Sequence, residues 1–162
     1  MTDAEPDRRL SAAAASSVAD QAALIPPDEV ERLRAVRRYD ILDTPPDGAF
    51  DRIAALAARI FQVPVATVTI VDEDRIWFKA TYGVEVTEIG RDPGLCASAI
   101  LTDSPVAIED ATLDPVAYNN PLVRGEFGLR YYAAAPITTS DGHHLGTVNV
   151  IDRKPRTTTP EE

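Results

Sequence analysis

Residues 65–81 read VATVTIVDEDRIWFKAT, and this stretch decides the fold class of the chain. Val65–Val71 is rich in β-branched residues, which favours a β-strand. The polar triplet at 72–74 predicts a turn, and residues 76–81 alternate in the manner of a second strand. Two strands joined by so short a turn pair antiparallel. In the second strand we expect two sides, with Ile76, Phe78 and Ala80 on one and Trp77, Lys79 and Thr81 on the other.

Two helices are predicted before this hairpin. The first begins after Asp28, which can cap it, and ends near Tyr39, before prolines that cannot continue a helix. Its shared apolar face consists of Val30, Leu33 and Val36. The second spans residues 47–61, and its apolar residues recur at spacings of three and four: Phe50, Ile53, Ala54, Ala57, Ile60 and Phe61. Two amphipathic helices must cover a face of the antiparallel sheet, so the fold class is α+β.

The rest of the chain predicts short elements separated by a long irregular segment. Asp114 and Asn120 each precede a proline, a pattern typical of a capped helical turn. We expect one more short helix and three more strands, at residues 95–101, 106–108, 131–138 and 145–152. The last two strands are joined by a turn that contains Gly142, as in a hairpin.

The composition limits what the chain can do. Its 162 residues suffice for one domain, and its formal net charge of −10 repels phosphate backbones, which argues against nucleic-acid binding. The densest basic cluster, at Arg32, Arg34, Arg37 and Arg38, is interpreted as a solvated helix face. The sequence contains no apolar run of the roughly 18 residues that a membrane span needs, and no secretory signal. We therefore expect a cytoplasmic protein without a membrane partner.

A series of short motifs runs in order through residues 30–162. The motifs are YDILDTPP at 39–46, FDR at 50–52, VDEDR at 71–75, WFK at 77–79, CASAI at 96–100, DP at 114–115, NPLV at 120–123, RYYA at 130–133, Pro136, GT at 146–147 and VID at 150–152. Together they resemble the GAF domains of bacterial signalling proteins, especially the group that begins with an Arg-rich helix.

This resemblance implies a PAS-related antiparallel sheet of about five or six strands, with helices packed on it and a pocket covered by the connecting segments. Such domains usually lie on the N-terminal side of histidine kinases, diguanylate cyclases or phosphatases, and the last helix commonly leads to the output domain. We expect the GAF domain over residues 29–162, after a flexible Ala/Ser-rich tail at 1–28. TPEE at 159–162 has the pattern of a helix start, which predicts a chain cut before its C-terminal helix.

The candidate ligand site rests on aromatic and polar residues in and beside the loops that flank the sheet. Its members are Trp77, Phe78, Cys96, Asp110, Asn119, Phe127, Arg130 and Tyr132. Ligand pockets are mostly apolar with few placed polar groups, but aromatic residues on strands are also typical core residues. Arg130 is expected either to pair with an anionic ligand or to form a surface ion pair. We expect residues 82–128 to be the most mobile part of the folded core.

Cys96 is the single cysteine of the chain, and two interpretations of it stay open. It is either a redox sensor near a helix start, or a small buried hydrophobic residue. A GAF-type methionine sulfoxide reductase needs at least one resolving cysteine, so that activity is not expected of a chain with a single cysteine. Ser98 stands where relatives often carry a histidine, which argues against an attached bilin. His143 and His144 are expected to be exposed and to point to opposite faces of a strand, so no metal site is predicted.

Two functions follow, and neither involves chemistry in this chain. The first is a sensory module that binds a small molecule and controls a linked or partner output domain, such as a histidine kinase or diguanylate cyclase. The second is a ligandless GAF domain that serves as a homodimerisation scaffold, through the helix that contains Val30 and Val36 together with the expected C-terminal helix. An enzyme is not expected, because the sequence shows no pairing of a nucleophile with a base.

Overall fold

The computed structural model describes residues 25–92 and 94–162. Its helices are α1 (Glu29–Tyr39), α2 (Gly48–Phe61), α3 (Leu95–Ala99) and α4 (Pro121–Arg124). Its strands are β1 (Val65–Val71), β2 (Arg75–Tyr82), β3 (Glu88–Gly90), β4 (Val106–Ile108), β5 (Tyr131–Thr138) and β6 (His144–Asp152). Residues 1–24 of the expected N-terminal tail lie outside the described residues, so the tail stays a prediction.

The six strands form one antiparallel sheet in the order β3-β2-β1-β6-β5-β4. Both predicted hairpins, β1–β2 and β5–β6, are present. The central pair is β1 and β6, and its register places Thr67 opposite Asn149 and Thr69 opposite Thr147. The predicted α+β architecture with an antiparallel sheet is therefore confirmed.

The two faces of the sheet are covered by different material. On one face, which we call the helix face, α2 packs closely through Ala54 and Ala58, which are its buried residues. The opposite face, which we call the loop face, is covered by α3 and by the segment 109–129. Residues of this covering layer form a buried cluster with Tyr132 and Ala134 of β5: Leu95, Ala99, Ala111, Ala117, Val123 and Leu129.

The apolar stripe of α2 is broader than its contact with the sheet. Ile53 and Ile60, expected in the packed stripe, are 45 % and 59 % exposed, and neighbouring Leu56 is 56 % exposed. The helix contacts the sheet through its two buried alanines, and these larger side chains lie outside that contact. The helix therefore keeps an apolar outer surface.

Three expectations for α1 are wrong. Val30, expected on the apolar face, is 60 % exposed, whereas Arg32, expected on a solvated face, is 1 % exposed. Asp28 occupies the N-cap position, but its side chain makes no capping hydrogen bond. Its carboxylate instead contacts Nδ1 of His143 at 2.9 Å. Helical periodicity alone could not reveal these tertiary partners.

A β-bulge in β2 corrects the predicted sidedness of that strand. Phe78 pairs with Thr69 and Ala80 pairs with Val68, so Lys79 is the extra residue. As a result, Ala80 joins Ala54 and Val68 on the helix face instead of following Ile76 and Phe78. Strict alternation fails here because a bulge shifts the phase by one residue.

The end of the chain shows part of the predicted capping box. The carboxylate of Glu162 accepts a hydrogen bond from the backbone N–H of Thr159 at 2.9 Å, as a third-position Glu does at a helix start. The existence of a further C-terminal helix remains a prediction. In the described part of the chain, no helix is long and apolar enough to cross a membrane.

Candidate functional site

Asn149 lies at the centre of the loop face, where it is 1 % exposed and hydrogen-bonded through both polar atoms of its side chain. Its Oδ1 accepts hydrogen bonds from the hydroxyls of Tyr132 at 2.7 Å and Thr147 at 2.8 Å. Its Nδ2 donates to the hydroxyls of Thr67 at 3.0 Å and Thr69 at 3.3 Å. We call these five side chains the polar cluster.

The sheet register creates the polar cluster. Thr67 and Thr69 alternate on β1, Thr147 and Asn149 alternate on β6, and the antiparallel pairing places the two pairs side by side. All four point to the loop face because residues at i and i+2 of a strand share a face. The sequence analysis missed these residues, although polar residues recurring every second position inside two apolar strands would have indicated them.

The thiol of Cys96 completes the surroundings of Asn149. Its Sγ lies 3.6 Å from both Oδ1 of Asn149 and the hydroxyl of Tyr132. Burial, together with the neighbouring thiol, raises the pKa of Tyr132 well above its ordinary value, so the phenol is neutral and acts as a hydrogen-bond donor. Cys96 itself is 8 % exposed and packs with Val71 and Ile76.

The covering layer is held by short-range polar contacts. Asp114 accepts hydrogen bonds from the backbone N–H groups of Val116 and Ala117 at 2.9 and 2.8 Å. Asn120 accepts one from Leu122 at 2.9 Å, at the start of α4. Both residues therefore act as the local caps predicted for the Asp-Pro and Asn-Pro pairs.

Asp110 and Arg130 meet at the margin of this layer. Nη1 of Arg130 lies 3.5 Å from the carboxylate of Asp110 and donates to the hydroxyl of Thr112 at 3.0 Å. Hydrogen bonds from Thr112 and the charge of Arg130 lower the pKa of Asp110. The side chain of Arg130 is 41 % exposed, so this arrangement is the surface ion pair that was one of its two expected roles.

The structure does not bring all eight predicted site residues together. Cys96 and Tyr132 adjoin the polar cluster, and Phe78 packs beside Cys96 on the loop face. Phe127 packs at the edge of the covering layer and stacks under the guanidinium of Arg153 at 4.8 Å. Asn119 is exposed.

Trp77 lies on the other side of the sheet. It packs with Ile70, Ala35 and Val36 on the helix face, so it cannot line a pocket together with Tyr132. The sequence-based set therefore combined residues from both faces.

The two histidines are more buried than expected. The side chain of His143 is 20 % exposed and contacts Asp28, and that of His144 is 13 % exposed and contacts Asp103 at 2.8 Å. The expectation of exposed hairpin residues is therefore wrong, because each ring packs against a carboxylate from a distant part of the chain. Among the described residues, no group of three or more His, Cys, Asp or Glu side chains is placed to hold a metal ion.

Glu29 links α1 to the segment that precedes α3. Arg32 donates to its carboxylate at 2.9 Å and also to the carbonyl of Val71 at 2.7 Å. Arg91 donates to the same carboxylate and to the carbonyl of Asp72 at 3.0 Å. Burial alone would raise the pKa of Glu29, but the two guanidinium groups outweigh burial and lower this pKa to about 2. The N-terminal helix is thus fixed by largely buried charges to the segment that leads into α3.

Comparison with known proteins identifies the family. The family model described as GAF domain matches residues 45–162. The chain belongs to the GAF domain family. One relative of this GAF domain, a cyclic di-GMP phosphodiesterase of Pseudomonas aeruginosa, is 41 % identical over 131 residues. The match covers 81 % of the chain and 22 % of the relative, so the chain spans about a fifth of that protein.

Solved structures agree on the fold. The GAF domain from a phosphoenolpyruvate-protein phosphotransferase of Coxiella burnetii aligns with a TM-score of 0.59 and 17 % identity, over 82 % of each chain. The free methionine-R-sulfoxide reductase of Neisseria meningitidis, solved with its substrate, aligns with a TM-score of 0.56 and 18 % identity, over 80 % of this chain and 75 % of that one. At such identities the likeness shows the fold alone.

Proposed function

We propose that this GAF domain is a sensory module that binds a small molecule at its loop face and thereby regulates a signalling output domain. The polar cluster around Asn149 carries the proposal. Packing alone would be served by apolar side chains, whereas buried hydroxyl and amide groups add the directional donors and acceptors that ligand sites use. A ligand would exchange its own hydrogen bonds for those now made within the cluster.

The covering layer supports this proposal because its structure favours local opening. It consists of α3, α4 and turns, and its regular elements on this face have no more than five residues. Short elements with few backbone hydrogen bonds open at lower free energy than the strands of a sheet. Arg130, with its long and partly exposed ion pair, offers a cation at the margin for an anionic group.

The regulatory part of the proposal is supported by the relationship to the phosphodiesterase. The chain matches about a fifth of that relative, which leaves most of its length for other domains. We infer an output of the cyclic-dinucleotide or related signalling type, in which any catalysis belongs to the output domain. Within the described residues, the polar contacts of the Cys96 thiol are with Asn149 and Tyr132, and the rings of His143 and His144 bond elsewhere, to Asp28 and Asp103.

A domain exchange tests the regulatory role. The matching 131 residues of the P. aeruginosa phosphodiesterase would be replaced by those of this chain, and cyclic di-GMP hydrolysis would be measured with intact, Asn149→Ala and Asn119→Ala domains. We expect the Asn149 variant to change the rate and the exposed Asn119 control to leave it unaltered. Equal rates for all three folded proteins would contradict the proposal.

A dimerisation scaffold is the second candidate, and the outer surface of α2 favours it. Ile53, Leu56 and Ile60 follow one another at spacings of three and four residues and are each about half exposed, a pattern typical of a helix that packs against another helix. Sedimentation of the wild type and of Leu56→Glu tests it. A dimer that the substitution converts to a monomer would support the scaffold, and a wild-type monomer would exclude it.

A further inference from the structure

We propose that the helix face carries a second binding site, in the cavity beside Lys79, for a small organic monoanion with an apolar body. A monocarboxylate is the simplest ligand of this class. The inference is independent of the loop-face proposal, because the two sites lie on opposite faces of the sheet.

In the part of the chain that the structure describes, Lys79 is a buried cation without a charged partner. It is 7 % exposed, and its Nζ donates to the hydroxyl of Thr44 at 2.8 Å and to the carbonyl of Pro45 at 2.7 Å. An ammonium group has three donors, and within residues 25–92 and 94–162 this one finds neither a third acceptor nor a carboxylate. A buried charge of this kind is costly unless it is paired, so an anion that reaches Nζ would bind with a favourable charge-assisted hydrogen bond.

The bulge in β2 explains how Lys79 reaches this position. As the extra residue between Phe78 and Ala80, Lys79 points to the helix face next to Trp77. Its Nζ lies 5.5 Å from the ring centre of Phe50 and 5.9 Å from that of Trp77. Bulges redirect side chains and are frequent beside functional sites, and the flanking rings hold the ammonium group in a fixed place.

The cavity has a suitable size and lining. Its volume is about 590 Å³, within the range of small-molecule sites. Apolar walls are formed by side chains from α2, β1 and the last hairpin: Phe50, Ile70, Ile137 and Leu145. The motif YDILDTPP forms the opposite wall, since residues 39–41 and 44–46 all line the cavity. The motif YDILDTPP takes no part in the loop-face site, and here it forms a wall of the proposed anion site.

Charges at the rim restrict the ligand. Asp40 and Asp47 line the same cavity and are exposed. They disfavour a polyanion such as a nucleotide, because like charges repel, while the buried Lys79 favours a single negative charge inside. The combination selects a monoanion whose remaining surface is apolar.

Nuclear magnetic resonance with lysine-selective labelling tests the site. The chain contains two lysines, Lys79 and the exposed Lys154, so their side-chain signals separate the cavity from the surface. The probes are hexanoate, benzoate and phenylacetate, each compared with the alcohol and the amine of the same carbon skeleton. We expect at least one carboxylate, at millimolar concentration, to shift the Lys79 signal saturably with Lys154 unchanged, and to shift the backbone signals of Ile137 and Thr138 in a uniformly labelled sample.

The variants Lys79→Met and Lys154→Met provide the matched comparison. Loss of one charge-assisted hydrogen bond should weaken carboxylate binding roughly tenfold or more for Lys79→Met, while Lys154→Met keeps wild-type affinity. The comparison of carboxylate, alcohol and amine probes uses the wild-type protein, so it tests the anion site even if Lys79→Met fails to fold. Carboxylates that leave Lys79 unshifted, or amines that shift it as strongly, would overturn the proposal and leave Lys79 as an anchor of the 40–46 loop.

Discussion

The hydroxyl of Tyr132 on β5 donates a hydrogen bond to Oδ1 of Asn149 on β6 at 2.7 Å, at the centre of the loop face. Oδ1 of Asn149 also accepts a hydrogen bond from the hydroxyl of Thr147, and its Nδ2 donates to the hydroxyls of two threonines of β1. One side-chain amide therefore joins three adjacent strands, β1, β6 and β5, whose backbones are also paired. This link adds side-chain hydrogen bonds to the backbone pairing of the sheet and places polar groups at the centre of the loop face.

Removing members of the polar cluster should destabilise the fold unequally. Tyr132→Phe removes one buried hydrogen bond and should lower the free energy of unfolding by about 1 kcal/mol. Asn149→Ala leaves several buried hydroxyls without their partner and should cost roughly 3 kcal/mol. Urea denaturation measures both, and Tyr118→Phe, at an exposed tyrosine, should have no effect. Equal small losses for the two cluster variants would show that Asn149 does not organise the cluster.

The charge network of Glu29 should make stability depend on pH. Because its folded pKa of about 2 lies below the ordinary value of 4.5, the ionised carboxylate stabilises the fold above pH 4.5, and this contribution is lost as the pH falls toward 2. With partial solvent screening, it amounts to on the order of 1–2 kcal/mol. Glu29→Gln should be less stable than the wild type at neutral pH, and the difference should narrow on acidification.

The control for this effect is Glu31→Gln, on the exposed side of the same helix. Denaturation at a series of pH values should give the Glu31 variant the same pH profile as the wild type. A Glu29→Gln protein whose deficit stays constant from neutral to acidic pH would contradict the assigned role of the carboxylate.

The burial of Cys96 should make its thiol slow to react. Reaction with a thiol-specific reagent requires opening of α3, so the native rate should be roughly a hundredfold or more below that of the urea-unfolded protein, corresponding to about 3 kcal/mol. Absorbance of the released chromophore measures both rates. A native rate close to the unfolded one would favour the redox-sensor interpretation, because oxidation needs an accessible thiolate.

The layer that covers the loop face should exchange its amide hydrogens faster than the sheet. The covering segment, α3 and residues 109–129, consists of two short helices and turns, whereas β1 is buried throughout and paired on both sides. Mass spectrometry of hydrogen exchange should show protection falling from β1 to this segment. Equal protection would argue against a covering layer that admits a ligand.

The sequence predicted the sheet well because alternation and turn residues are local signals. Both hairpins, the short strand β4 and the caps at Asp114 and Asn120 followed from patterns within a few residues. The placement of individual side chains was less accessible. The bulge at Lys79 reversed the side of Ala80, and Arg32 is buried because its partners include a carbonyl 39 residues away.

The candidate site was predictable only in part. Cys96 and Tyr132 were both named as candidates, and their side chains lie together at the loop face. Trp77 was grouped with them although it lies on the helix face, because aromatic character carries no information on which face a side chain occupies. Asn149 was overlooked although its alternation with Thr147 inside an apolar strand is a local signal, whereas its partners on β1 depend on a register that pairs residues about 80 positions apart. Such long-range pairings are not encoded in a local pattern.

Native mass spectrometry of the protein as purified from cells, compared with its denatured mass, tests the central claim most directly. The sensory interpretation predicts a non-covalent adduct that is released on unfolding, that is lost in a folded Asn149→Ala variant and that is retained in Asn119→Ala. A bare chain that also takes up no compound from a small-molecule extract would contradict ligand binding at the loop face and leave the scaffold function in its place.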